Sequence, residues 1–234
     1  MTQLASDAAD PGEMNVVLGI LGELLAPTRC AACDEHVAPR VLFCAECGVA
    51  VLRAAPQPRG QHAVFAYGGA IATAIVRLKY GGRFDLASRF GPVMAGVMEP
   101  FAAQLDLVVP VPLHPARLAE RGFDQAALLA GPVARGLRVP HASRALVRMR
   151  ATPRQASLDR AARATNVATA FCCRSPRVVE GKRVLLVDDV RTTGATLAAC
   201  AQALRSAGAA RVLTLVLANR DHDEINRESR EDDG

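Results

Sequence analysis

Apolar residues along this chain follow two patterns, which predict two kinds of element. Short runs rich in β-branched residues, such as 107–111 and 184–187, are typical of strands buried on both faces. Segment 70–79 instead places Ile71, Ile75 and Leu78 on one face of a helix. The whole pattern predicts, in order, strand 63–67, helix 70–79, helix 84–98, strand 107–111, helix 126–135, strand 145–149, a strand near 171–173, strand 184–187, helix 195–204 and strand 211–217. This alternation predicts an α/β fold with a parallel sheet and right-handed crossovers.

The segment after strand 184–187 carries the most specific chemistry. Asp188 and Asp189 follow the strand directly, and a Thr-Thr-Gly-Ala-Thr run at 192–196 opens the next helix. Helix N-termini bind anions through free backbone N–H groups, and open parallel sheets bind ligands at the carboxyl ends of their strands. Two carboxylates for sugar hydroxyls beside a phosphate loop predict a ribose 5-phosphate site. A surface turn with one helix-capping Asp is the alternative, and it leaves the second acid and the loop composition unexplained.

Four cysteines near the start of the chain form two pairs with metal-binding spacing. They are Cys30, Cys33, Cys44 and Cys47, so ten residues separate two C-x2-C pairs. Two such pairs can place four thiolates tetrahedrally around Zn²⁺, which leaves no position for water and predicts a structural metal. Disulfides are the alternative, but they need an oxidising compartment.

Composition and charge favour a helix-covered sheet with anionic ligands. Hydrophobic residues are 50% of the chain, aromatic residues are 4%, and tryptophan is absent. Residues 221–234 hold seven acids against two arginines, so the net charge of +5 leaves +10 on residues 1–220. Such a basic body favours diphosphorylated sugars or nucleic acid as ligands. The apolar stretch 16–25 is too short to span a bilayer and follows acidic residues, so we predict a cytoplasmic protein with no membrane insertion.

Several segments together resemble the ComF family of competence-associated proteins, a zinc-bearing branch of the type I phosphoribosyltransferases. Besides the cysteine pairs and 187–196, they are Leu-Lys-Tyr-Gly-Gly-Arg at 78–83, the proline-rich stretch 110–125 and the basic stretch 150–166. The resemblance implies the type I phosphoribosyltransferase fold, a parallel sheet flanked by helices, with an N-terminal four-cysteine zinc knuckle. It divides the chain into an N-terminal helix or leader (1–29), a zinc-binding module and linker (30–60), a phosphoribosyltransferase domain (61–220) and an acidic disordered tail (221–234).

The resemblance also implies roles toward 5-phosphoribosyl 1-pyrophosphate (PRPP). Asp188 and Asp189 are the catalytic candidates, which accept hydrogen bonds from the ribose hydroxyls and reach a Mg²⁺ bound with PRPP. The other candidates hold the 5-phosphate (Thr192, Thr193, Gly194, Ala195 and Thr196), form a pyrophosphate loop (Val111, Pro112, Leu113 and His114) or contact the pyrophosphate (Lys79, Arg150 and Arg154). The alternative for His114 is a loop histidine facing solvent, and for Lys79 a solvated cation at a helix end.

The arginine-rich stretch 146–166 has two interpretations. It is either a mobile basic lid over a pyrophosphate or a solvated surface loop. The presence of the PRPP-type motif in the same chain favours the lid.

Three functions remain open from the sequence. The first is transfer of phosphoribose from PRPP to an unknown acceptor, with release of pyrophosphate. The second is a non-catalytic PRPP- or nucleotide-binding accessory role in DNA uptake or processing, with DNA or competence-machinery proteins as partners. The third is a zinc-dependent scaffold whose PRPP site is vestigial. The sequence specifies neither an acceptor pocket nor an oligomeric state.

Overall fold

The computed structural model describes residues 27–149 and 170–220. Within them the strands are β1 (Gln61–Ala66), β2 (Leu107–Pro110), β3 (Leu146–Arg148), β4 (Phe171–Cys173), β5 (Arg183–Arg191) and β6 (Arg211–Asn219). The helices are α1 (Ala45–Val49), α2 (Gly69–Tyr80), α3 (Asp85–Met98), α4 (Pro115–Arg121), α5 (Gln125–Leu137), α6 (Pro176–Val179) and α7 (Ala195–Ser206), with a 3-10 helix at Glu99–Gln104. No helix among these residues is long and apolar enough to cross a membrane.

Four strands form a parallel sheet in the order β1-β6-β5-β2, which confirms the predicted α/β fold. The long strands β5 and β6 occupy its centre, where parallel strands are covered on both faces. The prediction of a single sheet does not extend to β3 and β4. These two strands instead form a separate antiparallel pair, because Leu146 and Phe171 bury their side chains in the hydrophobic layer beside α7.

The sheet separates two hydrophobic layers, and β5 contributes alternate residues to each. Leu185 and Val187 pack in the layer formed with α2, α3 and α5. Val184 and Leu186 pack in the layer that contains α7 and β4. Side chains along a strand alternate between faces. The two aspartates that follow Val187 therefore face opposite layers, Asp188 toward α7 and Asp189 toward α2 and α5.

The proline-rich stretch 110–125 contains a helix, α4, that is absent from the elements predicted by the apolar pattern. His114 is the N-cap of this helix, and its Nδ1 accepts a hydrogen bond from Ala116 N at 3.2 Å. Pro115 at the first helical position needs no hydrogen-bond partner there, since proline has no N–H to satisfy. Gly122 ends the helix with a φ of 80°, a conformation that glycine adopts without steric cost.

The predicted linker at 53–60 begins as part of the sheet edge. Ala54 N donates to Val64 O at 3.2 Å, and Ala66 N donates to Leu52 O at 3.0 Å. Arg53 thus pairs antiparallel with Phe65 on the outer side of β1. The apolar stretch 16–25, the acidic tail 221–234, and Arg150 and Arg154 of the predicted lid all lie outside the described residues.

Candidate active site and metal centre

The acid pair lies where the parallel sheet narrows from four strands to three, because β2 ends while β5, β6 and β1 continue. Strand β2 ends at Pro110, opposite Val187, and Val111 N makes a last hydrogen bond to Val187 O at 2.9 Å. Pairing with β6 continues as far as Arg191 opposite Asn219. The predicted strand 184–187 is therefore too short, because β6 extends it to Arg191. Beyond Val111 the described residues that follow β2 no longer pair with β5, so the acid pair lies at the carboxyl edge, where open parallel sheets bind ligands.

Burial dominates the electrostatics of the two carboxylates. Asp188 is 9% exposed and Asp189 is 4% exposed. Burial raises the pKa of Asp188 well above its usual range, and the neighbouring Asp189 adds to the rise. Asp189 N donates to Asp188 Oδ1 at 2.8 Å, which partly offsets this effect.

Lys79 supplies the cation for this acid pair. It lies in the last turn of α2, and its Nζ forms an ion pair with Asp189 Oδ2. The interpretation of Lys79 as a solvated helix-end cation is therefore wrong. The contact of Lys79 with pyrophosphate stays a prediction, whereas its ion pair with Asp189 is present in the structure.

The loop 192–196 joins β5 to α7 and has the geometry of an anion-binding turn. Gly194 has a φ of 76°, in the left-handed region, and α7 begins at the next residue. Thr192 and Thr193 are exposed, and Ala195 N lies 3.4 Å from Thr193 Oγ1. The first N–H groups of α7 have no helical acceptors, so they can bind an anion at the carboxyl edge of the sheet. Thr196 lies in this first turn and is half-buried.

Arg191 anchors the start of this loop, a role that the sequence analysis missed. Its Nε donates to Asn219 Oδ1 at 2.7 Å, and its other nitrogens donate to Gln57 and Gln61. The side chain is buried, so these hydrogen bonds fix the end of β5 against β6 and the segment before β1. A buried arginine among amide partners distant in sequence leaves no signal in the local pattern.

The predicted pyrophosphate loop, Val111 to His114, is fastened to α5. Leu113 N donates to Asp124 Oδ2 at 2.9 Å, while Asp124 Oδ1 caps α5 by accepting from Ala126 N and Ala127 N. Burial raises the pKa of Asp124, although the three N–H donors oppose this rise. Nearby Asp189 raises the pKa further. The loop and the acid pair are thus electrostatic neighbours. His114 caps α4, a role that neither sequence interpretation included.

The four cysteines come together as the sequence predicts. The sulfur atoms of Cys30, Cys33, Cys44 and Cys47 all lie within 4.8 Å of one another, and none forms a disulfide. Tetrahedral Zn²⁺ with Zn–S bonds of about 2.3 Å separates its sulfurs by about 3.8 Å. Cys33 Sγ lies 3.6 Å from Cys44 Sγ, close to that separation.

Backbone N–H groups around Cys30 favour its thiolate form. Although burial opposes the change, N–H donors from Cys33, Cys44 and Ala32 lower the pKa of Cys30 to about 6. Burial raises the pKa of Cys47. Without a cation, four clustered thiols cannot all ionise, because each thiolate repels the next. The donor set therefore fits a zinc ion with four sulfur ligands.

Three arginines attach the cysteine module, residues 29–49, to α2, which carries Lys79, and to the start of α3. Arg77 Nη1 forms an ion pair with Asp34 Oδ1 at 2.6 Å, and Arg83 binds the same carboxylate. Arg89 Nη1 donates to the carbonyl oxygen of Arg29 at 2.6 Å. Arg77 and Lys79 belong to the same turn of α2, so the module contacts the element that positions the cation of the acid pair.

A pocket of aromatic and basic side chains lies next to Lys79. We call it the aromatic pocket; it encloses about 440 Å³ and is lined by Lys79, Tyr80, Gly82, Phe84, Arg117, Glu120, Arg121 and Phe123. Phe84 and Phe123 pack edge to face with ring centroids 4.5 Å apart. The Arg121 guanidinium lies 4.7 Å from the centre of the Tyr80 ring. This pocket has no local signature in the sequence, because α2, α4 and the short segments that follow each of them contribute its lining.

Comparison with known proteins identifies the family. The profile for the phosphoribosyl transferase domain matches residues 124–233. The DNA utilization protein YhgH of Escherichia coli (strain K12) is 32% identical over 200 residues, which cover 78% of this chain and 86% of that protein. The chain belongs to the ComF-like type I phosphoribosyltransferases.

The chain is also similar to two other proteins over smaller parts of its length. Competence protein F of Haemophilus influenzae is 36% identical over 104 residues, which cover 44% of this chain and 45% of that protein. A solved structure of glutamine phosphoribosylpyrophosphate amidotransferase from B. subtilis, complexed with ADP and GMP, has 24% identity and a TM-score of 0.43. That match covers 60% of this chain and 30% of the amidotransferase chain.

Proposed function

We propose that this ComF-like protein transfers the 5-phosphoribosyl group of PRPP to an acceptor. A lone pair on the acceptor forms a bond to C1 of the ribose. The bond from C1 to the pyrophosphate oxygen breaks, its electron pair leaves on pyrophosphate, and any proton that the acceptor loses passes to solvent. The main requirement on the protein is to hold both ends of PRPP and stabilise charge as C1 becomes oxocarbenium-like.

The observation that carries this proposal is the buried acid pair, with Lys79 beside it, at the carboxyl edge of the sheet where β2 ends beside β5. Burial of a carboxylate costs free energy, and Lys79 forms an ion pair with only one of the two, so this arrangement is unfavourable for stability alone. In our proposal the ribose hydroxyls donate to Asp188 and Asp189. Lys79 then turns from Asp189 to the departing pyrophosphate.

The loops on either side of the acid pair hold the phosphates in this proposal. Backbone N–H groups from Thr192 to Thr196 bind the 5-phosphate at the start of α7. The loop Val111 to His114, held by Asp124, presents its backbone to the pyrophosphate. The carboxylate oxygens of the acid pair also suit Mg²⁺, which would neutralise pyrophosphate charge when bound with PRPP. Arg150 and Arg154 remain proposed pyrophosphate contacts from the sequence.

The cysteine module has a structural role in the proposal. Four thiolates around Zn²⁺ leave no open coordination position, so this site supplies stability and no chemistry.

Phosphorus NMR of the protein with Mg·PRPP and candidate acceptors tests the transfer. Ammonia, the common nucleobases, orotate and nicotinate are supplied one at a time. We expect one acceptor to produce pyrophosphate together with a new 5-phosphate ester, and the Asp189→Asn variant to produce neither. PRPP that stays intact with every acceptor, or turnover unchanged by Asp189→Asn, would contradict the proposal.

A second candidate is a PRPP- or nucleotide-binding accessory role in DNA uptake or processing. The names of the relatives, DNA utilization protein and competence protein, favour it, as does the +10 charge on residues 1–220. This role predicts nucleic-acid binding that weakens steeply with salt and survives Asp189→Asn. Replacement of Arg117 and Arg121 by Gln should reduce the affinity and the salt slope. Salt-insensitive binding, or no binding, would exclude direct DNA contact.

A further inference from the structure

We infer that the aromatic pocket is the acceptor subsite and that its acceptor is a planar nitrogen heterocycle with an anionic substituent. This inference rests on the proposed function, because the pocket adjoins the proposed ribose site. Lys79 joins the two: it lines the pocket and also contacts Asp189. A ligand in the pocket therefore lies next to the acid pair.

The aromatic side chains determine the shape of the ligand. Tyr80 is 68% exposed and Phe84 is 48% exposed, although burial of such rings is normally favourable. Planar heterocycles stack on such surfaces. The volume of about 440 Å³ lies within the usual range of small-molecule pockets, roughly 300–1,000 Å³.

The charges of the pocket determine the substituent. Lys79, Arg117 and Arg121 line it against a single acid, Glu120, so the lining has a net positive charge. Arg121 is held in place, because its Nη1 donates to Gln125 Oε1 at 2.6 Å and its Nη2 to Tyr80 OH at 3.0 Å. Arg117 is exposed on the same helix. A carboxylate on the ring would make charge-assisted hydrogen bonds to this side of the pocket.

Transfer from this subsite follows the balanced step already given. A ring nitrogen lone pair forms the bond to C1, and the C1–oxygen bond breaks with its electrons on pyrophosphate. A pyridine-type nitrogen becomes cationic, whereas an N–H nitrogen loses its proton to solvent. The carboxylate takes no part in bonding and orients the ring.

Tryptophan fluorescence tests the inference, because the natural chain contains no tryptophan. A Tyr80→Trp variant places one fluorophore in the pocket. The matched control is Tyr67→Trp, since Tyr67 lies elsewhere under the Arg220 guanidinium, 4.8 Å from its ring centre. Each variant is titrated, without PRPP, with two pairs of probes that differ in charge: orotate against uracil, and nicotinate against nicotinamide.

We expect orotate and nicotinate to quench Tyr80→Trp at concentrations at least tenfold lower than their neutral partners, with no quenching of Tyr67→Trp. Adding Arg117→Gln to the first variant should reduce that ratio to about twofold. No quenching by any probe, equal quenching by both members of each pair, or equal quenching of the two variants would overturn the inference. Quenching by oligothymidylate alone would assign the pocket to nucleic acid and also overturn it. Calorimetry of Mg·PRPP on the same samples reports separately on the proposed function.

Discussion

At the scale of single residues, the proposed site has a cost in stability at Asp188. Burial raises the pKa of this carboxyl above its unfolded value, so the folded protein holds the proton more tightly. Stability from this group is fully present below the unfolded pKa and is lost as the pH rises through the folded pKa. The charged or polar groups that act on it are Asp189, Lys79, Cys200 and Arg148.

The Asp188→Asn variant should therefore unfold at a higher temperature than the wild type in neutral and alkaline solution. The gain should be near zero at pH 4 and grow with pH, because asparagine avoids the cost of ionisation. A gain of about 1 kcal/mol corresponds to roughly 2–4 °C in a chain of this size. Thermal unfolding followed by circular dichroism from pH 4 to pH 9 measures it.

Asp106→Asn is the control with the opposite sign. Hydrogen bonds from Arg183 hold the pKa of Asp106 below its usual range, so its contribution is present above the unfolded pKa and is lost in acid. This variant should lose stability at neutral pH and approach the wild type as the pH falls. Parallel pH profiles for the two variants would contradict the account of Asp188.

Substitution of Gly194 distinguishes a loss of stability through backbone strain from a loss of ligand affinity. Its φ of 76° disfavours any side chain, although a Cβ would meet nothing closer than Arg191 at 3.6 Å. Gly194→Ala should cost roughly 1–2 kcal/mol of stability and, because the phosphate loop changes, about tenfold in Mg·PRPP affinity. Gly181→Ala is the matched control, since Gly181 has a φ of 69°, open space around it and a position at the opposite end of β5. Equal affinity losses in the two variants, measured by calorimetry, would remove the loop from the site.

At the scale of elements, the cysteine module and α2 behave as one unit. Asp34 binds Arg77 and Arg83, and Arg77 precedes Lys79 by two residues. Loss of zinc should therefore lower the unfolding temperature of the whole protein in one transition and weaken Mg·PRPP binding several-fold. Measurements on chelator-treated protein, after Mg²⁺ is restored, check both effects.

The Asp34→Asn variant tests the contact between the cysteine module and α2 separately from the loss of zinc. Asparagine tolerates the φ of 66° at this position but removes the charge, so zinc content should stay at one ion per chain. Because the ion pairs are partly exposed, we expect a loss of only about threefold in affinity. Glu46→Gln, on an exposed side chain of the same module, should change nothing. Full Mg·PRPP affinity in zinc-free protein would show that the module acts independently.

Most helices and strands were predictable from the sequence. The helix that was missed and the strand whose length was underestimated have physical reasons. Helix α2 and strand β6 follow from local apolar periodicity, which the sequence displays directly. Helix α4 was missed because its start depends on the His114 ring acting as a cap, and three nearby prolines favour extended backbone. The length of β5 was underestimated because pairing with β6 and the buried Arg191 extend it past the acids.

At the scale of the whole molecule, the positions of the acid pair, of the loop 192–196 and of the cysteine cluster were predictable, because each motif is local in sequence. The groups that complete the sites were harder to predict, since they come from distant segments. Arg121 reaches Tyr80 across 41 positions, and Arg83 reaches Asp34 across 49. Strand order decides which of these segments meet at the carboxyl edge, and apolar patterns do not encode that order.

Calorimetric titration of Mg·PRPP into the zinc-loaded protein tests the central claim most directly. The Asp188→Asn/Asp189→Asn double variant is titrated beside the wild type, after circular dichroism has shown that both are folded. We predict one binding site per chain in the wild type and a loss of affinity of at least a hundredfold, about 2.7 kcal/mol, in the double variant. Equal binding by the two proteins would remove the acid pair from the site. No binding by the folded wild type would contradict the proposal that the acid pair and the loop 192–196 form a PRPP site.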